Sequence, residues 1–120
     1  MRNMLAIVED DASARAALIS LVGALGFTGL GFPDAASFLA FEDLDEVRCL
    51  IADVRLPHIS GIQLHHRLRA AGRELPTILI TAYPDPVSSR NAIAAGIQAY
   101  LAKPVQPDEL LAHLHAILGP

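Results

Sequence analysis

The sequence predicts a doubly wound α/β fold, a three-layer sandwich in which helices cover both faces of a five-stranded parallel sheet. Five short aliphatic runs alternate with five longer segments whose apolar residues recur at helical spacing. The fourth run, residues 76–80, is almost wholly apolar, as expected for a central parallel strand buried on both faces. Hydrophobic residues form 52% of the chain and aromatic residues only 5%, which indicates a core of Leu, Ile, Val and Ala.

The chain has the length of one domain, residues 1–120, able to bury roughly two-thirds of its unfolded surface. A closed eight-stranded barrel would need about twice that length. Gly119 and Pro120 form a helix stop, and the sequence leaves open whether an effector domain follows in a longer natural protein.

Composition disfavours several classes of protein. The formal net charge of −4 gives no electrostatic reason for this domain to bind nucleic acid, which normally requires a basic face. No apolar stretch approaches the ~20 residues of a bilayer span, and the N-terminus lacks a signal-peptide layout. The single cysteine, Cys49, lies in an apolar run and is expected to be a buried hydrophobe. These features favour a cytoplasmic protein that binds no membrane.

The first half of the chain predicts three strands. The first, at residues 4–8, precedes a helix that Asp11 or Ser13 caps and Gly26 ends. The second strand is predicted at residues 27–31. A short helix follows, which carries Phe38, Leu39 and Phe41. The third strand is predicted at residues 49–54.

The next helix has two chemically different sides. Leu64, Leu68 and Ala71 share the apolar side, and Gly72 ends the helix. The residues expected outside it are His65, His66 and Arg69. Helical metal ligands usually lie three or four residues apart, so surface positions are favoured over metal binding for all the histidines, which are His58, His65, His66, His113 and His115.

Two further strand and helix pairs complete the pattern. The fourth strand, residues 76–80, precedes a helix that starts at Asp85–Pro86 and runs to Ala95. This helix is rich in Ala and Ser, so we expect it to pack weakly and to be mobile. The fifth strand is predicted at residues 97–102, and Pro107 opens the last helix.

Polar side chains follow the apolar runs at four strand ends. Glu9 and Asp10 end the first strand, Asp53 ends the third, Thr81 ends the fourth, and Lys103 follows the fifth. Because the carboxyl ends of neighbouring parallel strands open onto one crevice, these five side chains should meet, although about 90 residues separate them.

Three carboxylates at one place would repel one another unless a cation lies among them. Hard oxygen ligands with room for water suit Mg²⁺. The candidate metal ligands are Glu9, Asp10, Asp53 and the backbone carbonyl of Arg55.

Asp53 is the candidate phosphoacceptor. A carboxylate beside Mg²⁺ can attack phosphorus to give an aspartyl phosphate, while the metal and the Lys103 ammonium offset charge on the phosphoryl oxygens. The Thr81 hydroxyl offers a hydrogen bond to one of those oxygens, and its movement would drag the loop that follows.

In this order and spacing, these motifs resemble the receiver domain of bacterial two-component response regulators over essentially all 120 positions. The matching motifs are Val8-Glu9-Asp10, Asp53 through Pro57 with Gly61, Thr81-Ala82, and Tyr100 with Lys103-Pro104. The stretch from Leu50 to Gly61 and the run Thr81-Ala82-Tyr83 are most similar to the nitrogen-fixation regulator (FixJ-like) subfamily, whose members carry a helix-turn-helix output domain.

The resemblance implies a strand order of 2-1-3-4-5, a Mg²⁺ requirement, and phosphotransfer from a sensor histidine kinase to Asp53. It also implies Thr81 and Tyr100 as switch residues and a cis peptide between Lys103 and Pro104. We therefore expect a signalling switch with self-catalysed phosphotransfer and dephosphorylation, not a turnover enzyme. Its expected output is homodimerisation through the fourth helix, fifth strand and fifth helix, and regulation of transcription.

Other functions would need different residues. The alternative is a receiver-like scaffold that binds partners constitutively without phosphorylation; loss of Asp53 or Lys103 would favour it, and both are present. A turnover phosphatase would normally need a general acid two residues after the nucleophile, where Arg55 stands. A nucleotide or flavin binder would need a glycine-rich phosphate loop after the first strand, where this chain has three acids.

Overall fold

Strands and helices alternate along residues 3–120, the part of the chain that the computed structural model describes. The strands are β1 (Met4–Val8), β2 (Thr28–Phe32), β3 (Val47–Asp53), β4 (Thr77–Thr81) and β5 (Ala99–Ala102). The helices are α1 (Ala12–Ala24), α2 (Ala35–Leu39), α3 (Gly61–Ala70), α4 (Pro86–Ala94) and α5 (Pro107–Leu118), with a 3₁₀ turn at Leu44–Glu46. Within that range, no helix combines the length and apolarity of a bilayer span.

The five strands form one parallel sheet in the order β2-β1-β3-β4-β5. This confirms the predicted doubly wound fold. At the carboxyl edge of the sheet, the paired residues are Val8 with Ala52, Asp53 with Ile80, and Thr81 with Ala102. The residues that end β1, β3, β4 and β5 therefore lie side by side.

Each face of the sheet has its own apolar core, because successive side chains of a strand point to opposite faces. Ala6 and Val8 pack into the core shared with α2, α3 and α4, whereas Leu5 and Ile7 pack into the core shared with α1 and α5. The helix residues in these cores are Phe38, Leu64, Leu68 and Ala92 on the first face, and Leu18, Val22, Leu110 and Leu114 on the second.

The structure confirms the buried position of Cys49. Its side chain in β3 is 0% exposed, and burial raises the pKa of the thiol to about 12. The thiolate form is therefore absent at physiological pH, and Cys49 serves as a small apolar residue.

Several element boundaries differ by one or two residues from those predicted, since backbone hydrogen bonds set strand ends and hydrophobicity does not. β3 starts at Val47 instead of residue 49, and β2 and β4 each begin one residue later than predicted. Ile97 is buried but lies outside β5, because its amide donates to the Ala92 carbonyl and closes the end of α4. Phe41 lies beyond the end of α2, and its ring packs 5.3 Å from that of Phe32.

The expected surface position of His65 is wrong. Its side chain lies in the interior between α3 and β4, with only 5% of the residue exposed. Nδ1 of the imidazole lies 3.0 Å from Oγ1 of Thr77, the first residue of β4. This hydrogen bond offsets part of the cost of burying a polar ring, so apolar periodicity alone misplaces the residue.

Candidate functional site

Asp53 is the last residue of β3 and lies at the carboxyl edge of the sheet, 9% exposed. Both oxygens of its carboxylate have partners. The amide of Arg55 donates to Oδ1 at 2.9 Å, and Nζ of Lys103 donates to Oδ2 at 2.6 Å. A loop amide and an ammonium thus fix the carboxylate in place.

The close approach of α3 to β3 explains the glycine at position 61. A Cβ there would lie 2.5 Å from the backbone oxygen of Asp53, closer than such contacts allow. The Gly61 amide donates to the Val54 carbonyl at 3.0 Å, and Ser60 with Gln63 forms a reciprocal capping box at the start of α3. The spacing from Asp53 to Gly61 therefore reflects the packing of the β3–α3 loop.

Lys103 joins the ends of three strands. Its Nζ lies 2.5 Å from Oε1 of Glu9, just after β1, and 2.6 Å from Oδ2 of Asp53. Its backbone amide donates to the Thr81 carbonyl at the end of β4, at 2.8 Å. The peptide between Lys103 and Pro104 is cis, as the resemblance implied.

Burial and charge act against each other in this cluster. Glu9 is 1% exposed, and burial raises the pKa of its carboxyl, although hydrogen bonds from Lys103 and from the Asp11 amide act in the opposite direction. Burial also lowers the pKa of Lys103, but its hydrogen bonds to Asp53 and Glu9 outweigh that effect and raise it. The ammonium therefore stays charged at neutral pH and compensates the buried acids.

Asp10 does not join this ion-pair cluster. It follows Glu9 directly and is exposed, whereas Lys103 pairs with Glu9 and Asp53. Across residues 3–120, no three His, Cys, Asp or Glu side chains gather as metal ligands would. The donor types still fit a hard divalent cation, since carboxylates and a backbone carbonyl are its preferred ligands. The metal-ligand set, Glu9, Asp10, Asp53 and the Arg55 carbonyl, stays a prediction.

Thr81 and Tyr100 lie between the candidate site and α4. Thr81 is 3% exposed, and its Oγ1 accepts a hydrogen bond from the Tyr83 amide at 3.0 Å. The half-buried Tyr100 on β5 accepts a hydrogen bond at its hydroxyl from the Asp85 amide at 3.3 Å. The two hydroxyls therefore hold the loop of residues 82–85, which connects β4 to α4.

Sequence reasoning missed two contacts at this edge of the sheet. The guanidinium of Arg55 lies 5.4 Å from the ring centroid of Tyr83, a cation–π contact between the β3–α3 and β4–α4 loops. The Arg15 guanidinium on α1 donates to the Glu9 carbonyl at 2.8 Å. The first contact has a sequence signal, because each residue follows its strand-end residue by two positions. The second has none.

The chain matches one protein family over nearly all of its length. The family is described as the response regulator receiver domain, and the match covers residues 5–115. The response regulator protein TodT of Pseudomonas putida is 35% identical over 112 residues, which are 93% of this chain and 49% of that protein. The transcriptional regulatory protein FixJ of Bradyrhizobium diazoefficiens is 30% identical over 112 residues, 93% of this chain and 55% of that protein.

A solved structure of a related protein gives the same fold. The response regulator StyR is 32% identical, superposes with a TM-score of 0.87, and is matched over 98% of this chain and 60% of that chain. The chain spans about half the length of the curated relatives it matches. One of these relatives is FixJ, which agrees with the resemblance of the sequence motifs to the FixJ-like subfamily. The chain therefore belongs to the response regulator receiver domain family.

Proposed function

We propose that this domain is a phosphorylation-controlled signalling switch in which Asp53 accepts a phosphoryl group from a sensor histidine kinase. The observation that carries the proposal is the pairing of one ammonium, Lys103, with the carboxylates of Glu9 and Asp53 at the carboxyl edge of the sheet. Sites of bound ligands in open α/β sheets lie at this edge. A carboxylate there, backed by a fixed positive charge, suits nucleophilic attack on phosphorus.

In the proposed transfer, a carboxylate oxygen of Asp53 attacks the phosphorus of a phosphohistidine on the kinase. A P–O bond forms as the P–N bond breaks, and the imidazole of the kinase leaves with the electron pair of the broken bond. The Lys103 ammonium then pairs with a phosphoryl oxygen. Attack by water then restores the carboxylate and releases phosphate. We assign the domain as a phosphoacceptor with self-catalysed dephosphorylation, not as a turnover enzyme.

We assign Mg²⁺ as the cofactor. The residues that would hold it are Glu9, Asp10, Asp53 and the backbone carbonyl of Arg55. When bound, the ion supplies positive charge that offsets the acids and the phosphoryl oxygens. The local charge balance supports this assignment, because the two carboxylates of Glu9 and Asp53 share the single ammonium of Lys103, and Asp10 follows Glu9 directly.

We assign the response to the loop of residues 82–85. The Thr81 hydroxyl donates to a phosphoryl oxygen and draws the Tyr83 amide with it. Tyr100 loses its hydrogen bond from the Asp85 amide, and α4 shifts. The support is that the Thr81 and Tyr100 hydroxyls both bond to this loop.

The proposed output is homodimerisation through α4, β5 and α5. Two large apolar side chains of α4 are exposed, Val87 by 54% and Ile93 by 49%, and Tyr83 in the loop before α4 is 71% exposed. FixJ is named a transcriptional regulatory protein, and we propose that this domain controls transcription in the cytoplasm through an effector. It contacts neither DNA nor membrane in this proposal.

Intact-mass analysis with acetyl phosphate tests the phosphoacceptor. The wild type should gain the mass of one phosphoryl group in the presence of Mg²⁺ and none after chelation of the metal. Asp53→Asn should gain none, because an amide is not a nucleophile. The matched control is Asp108→Asn, which changes an exposed carboxylate on α5 and should behave as the wild type. Equal uptake by the wild type and Asp53→Asn would refute the assignment of Asp53.

Light scattering tests the dimer. Addition of beryllium fluoride with Mg²⁺ should double the mass of the wild type. Val87→Glu should remain monomeric, because it places charge on the proposed face, whereas Ala16→Glu on exposed α1 should still dimerise. A wild type that stays monomeric with the mimic bound, or a Val87→Glu variant that dimerises as well as Ala16→Glu, contradicts the proposed face.

A further inference from the structure

The amino edge of the sheet, opposite the candidate site, carries a second cluster of polar groups. There α3, the start of β4 and the end of α4 meet around His65, which is 5% exposed. His65 lines a cleft of about 370 Å³, whose other lining residues include Arg69, Glu74, Gly96 and Gln98. A buried imidazole at such a junction has few ways to satisfy both of its nitrogens.

The hydrogen bonds of Thr77 determine where the imidazole carries its proton. The Thr77 hydroxyl donates its one proton to the Leu75 carbonyl at 3.0 Å. We therefore assign Oγ1 as the acceptor of a hydrogen bond from His65 Nδ1, which lies 3.0 Å away. In the neutral ring, Nε2 is then unprotonated. This atom is buried and has no hydrogen-bond partner among the described residues.

The unpartnered nitrogen lies beside the end of α4. The carbonyl of Ala95 there accepts a hydrogen bond from Nη1 of Arg69 at 3.1 Å. A Cβ at Gly96 would lie 3.3 Å from Nη1 of Arg69 and 3.7 Å from Nε2 of His65. The guanidinium and the imidazole therefore share the space next to the last carbonyls of α4.

We propose that His65 makes the contact of Arg69 on α3 with the C-terminal end of α4 proton-sensitive: the contact is intact while the ring is neutral and disrupted when the ring is protonated. A proton on the buried Nε2 would create a second cation beside Arg69. Both cations would compete for the Ala95 carbonyl. The proposal does not depend on phosphorylation of Asp53.

On balance, burial and the cations around the ring favour its neutral form. On α3 the neighbours are His66, whose ring centroid lies 6.1 Å away, and Arg69. The α3–β4 loop contributes the exposed Glu74, β4 the neutral Thr77 hydroxyl, the end of α4 the Ala95 carbonyl, and the approach to β5 the neutral Gln98. Burial, assisted by the charges of His66 and Arg69, lowers the pKa of His65, and the Ala95 carbonyl only partly opposes them.

Because the pKa of His65 is lowered in the folded domain, acid should reduce the stability of the fold. An unfolded histidine titrates near pH 6.5. Below that pH the unfolded chain binds a proton that folded His65 still excludes, so the free energy of unfolding falls as the pH drops toward the folded pKa. Above about pH 6.5 the ring is neutral in both states and makes no pH-dependent contribution.

NMR titration of the imidazole nitrogens tests the proposal without any variant. We expect the proton on Nδ1 of His65 at neutral pH and a His65 pKa below the ordinary histidine value of about 6.5. Arg69→Gln should move the His65 pKa upward, whereas Arg67→Gln, the matched control elsewhere on α3, should leave it unchanged. A proton on Nε2, or a His65 pKa at or above about 6.5, would overturn the proposal.

Urea unfolding as a function of pH supplies the second test. His65→Asn keeps a donor toward Thr77 but cannot titrate, and His66→Asn is its control. Between about pH 7.5 and 5.5, the free energy of unfolding of the wild type and of the control should depend more steeply on pH than that of His65→Asn. The difference corresponds to the uptake of up to about one extra proton on unfolding. Equal pH dependence in all three proteins would contradict the proposal, and the NMR titration decides if His65→Asn fails to fold.

Discussion

Helices α4 and α5 begin alike and are held in opposite ways. Each has a proline in its first turn, at Pro86 and at Pro107. Helix α5 buries Leu110 and Leu114 completely, whereas the buried residue of α4 is the small Ala92. Since burial of one leucine stabilises by roughly 1.5–3 kcal/mol, packing holds α5 far more strongly than α4.

Polar contacts at its two ends hold α4 instead. The side chain of Asp85 accepts from the Ser88 amide at its start, where Tyr100 also binds the Asp85 amide. The Arg69 guanidinium binds the Ala95 carbonyl at its end. Hydrogen bonds of this kind contribute only about 0.5–1.5 kcal/mol each. A change of charge nearby can therefore break them in favour of other hydrogen bonds. The comparison indicates that apolar packing fixes α5, whereas α4 depends on polar contacts at its two ends.

The largest difference should appear in core truncations. Leu114→Ala in α5 should lower the free energy of unfolding by about 2–5 kcal/mol, because it leaves a cavity in a closed core. Ile93→Ala in α4 should change it by no more than about 0.5 kcal/mol, because this side chain is 49% exposed. Urea unfolding measures both values. Comparable losses would show that α4 is packed as firmly as α5.

A smaller difference should appear at the helix caps. Asp85→Ala should destabilise the domain, because its carboxylate caps α4, whereas Gln106→Ala at the start of α5 should not, since its side chain makes no capping bond. Hydrogen bonds from the Ser88 amide and hydroxyl lower the pKa of Asp85, so its contribution is present above the unfolded pKa and is lost as the pH falls below about 4. Urea unfolding at neutral and acid pH checks this, and a loss in Asp85→Ala that persists in acid would speak against a charged cap.

Much of the fold could be predicted because its signals are local. The alternation of aliphatic runs with helical periodicity locates all five strands, and Asp85–Pro86 marks the start of α4 within one residue. His65 could not be placed, because its burial depends on the Thr77 hydroxyl, twelve residues away in sequence and on another element. The periodicity of apolar residues predicts which apolar side chains are buried. It cannot predict that two polar side chains are buried against each other.

The candidate site, too, could be predicted only in part from the sequence. The meeting of Glu9, Asp53, Thr81 and Lys103 at one edge follows from the rule that parallel strands share a carboxyl edge. Which carboxylates pair with Lys103 could not be predicted, because pairing depends on side-chain rotamers and on exposure. Asp10, one residue beyond Glu9, is exposed while Glu9 is buried.

Backbone hydrogen exchange with and without beryllium fluoride and Mg²⁺ tests most directly whether the Asp53 site acts through α4. The wild type should show altered exchange in the loop of residues 82–85 and in α4, little change in the buried turns of α5, and no change in either helix for Asp53→Asn. Equal changes in α4 and α5, or a response of α4 that survives in Asp53→Asn, would contradict it.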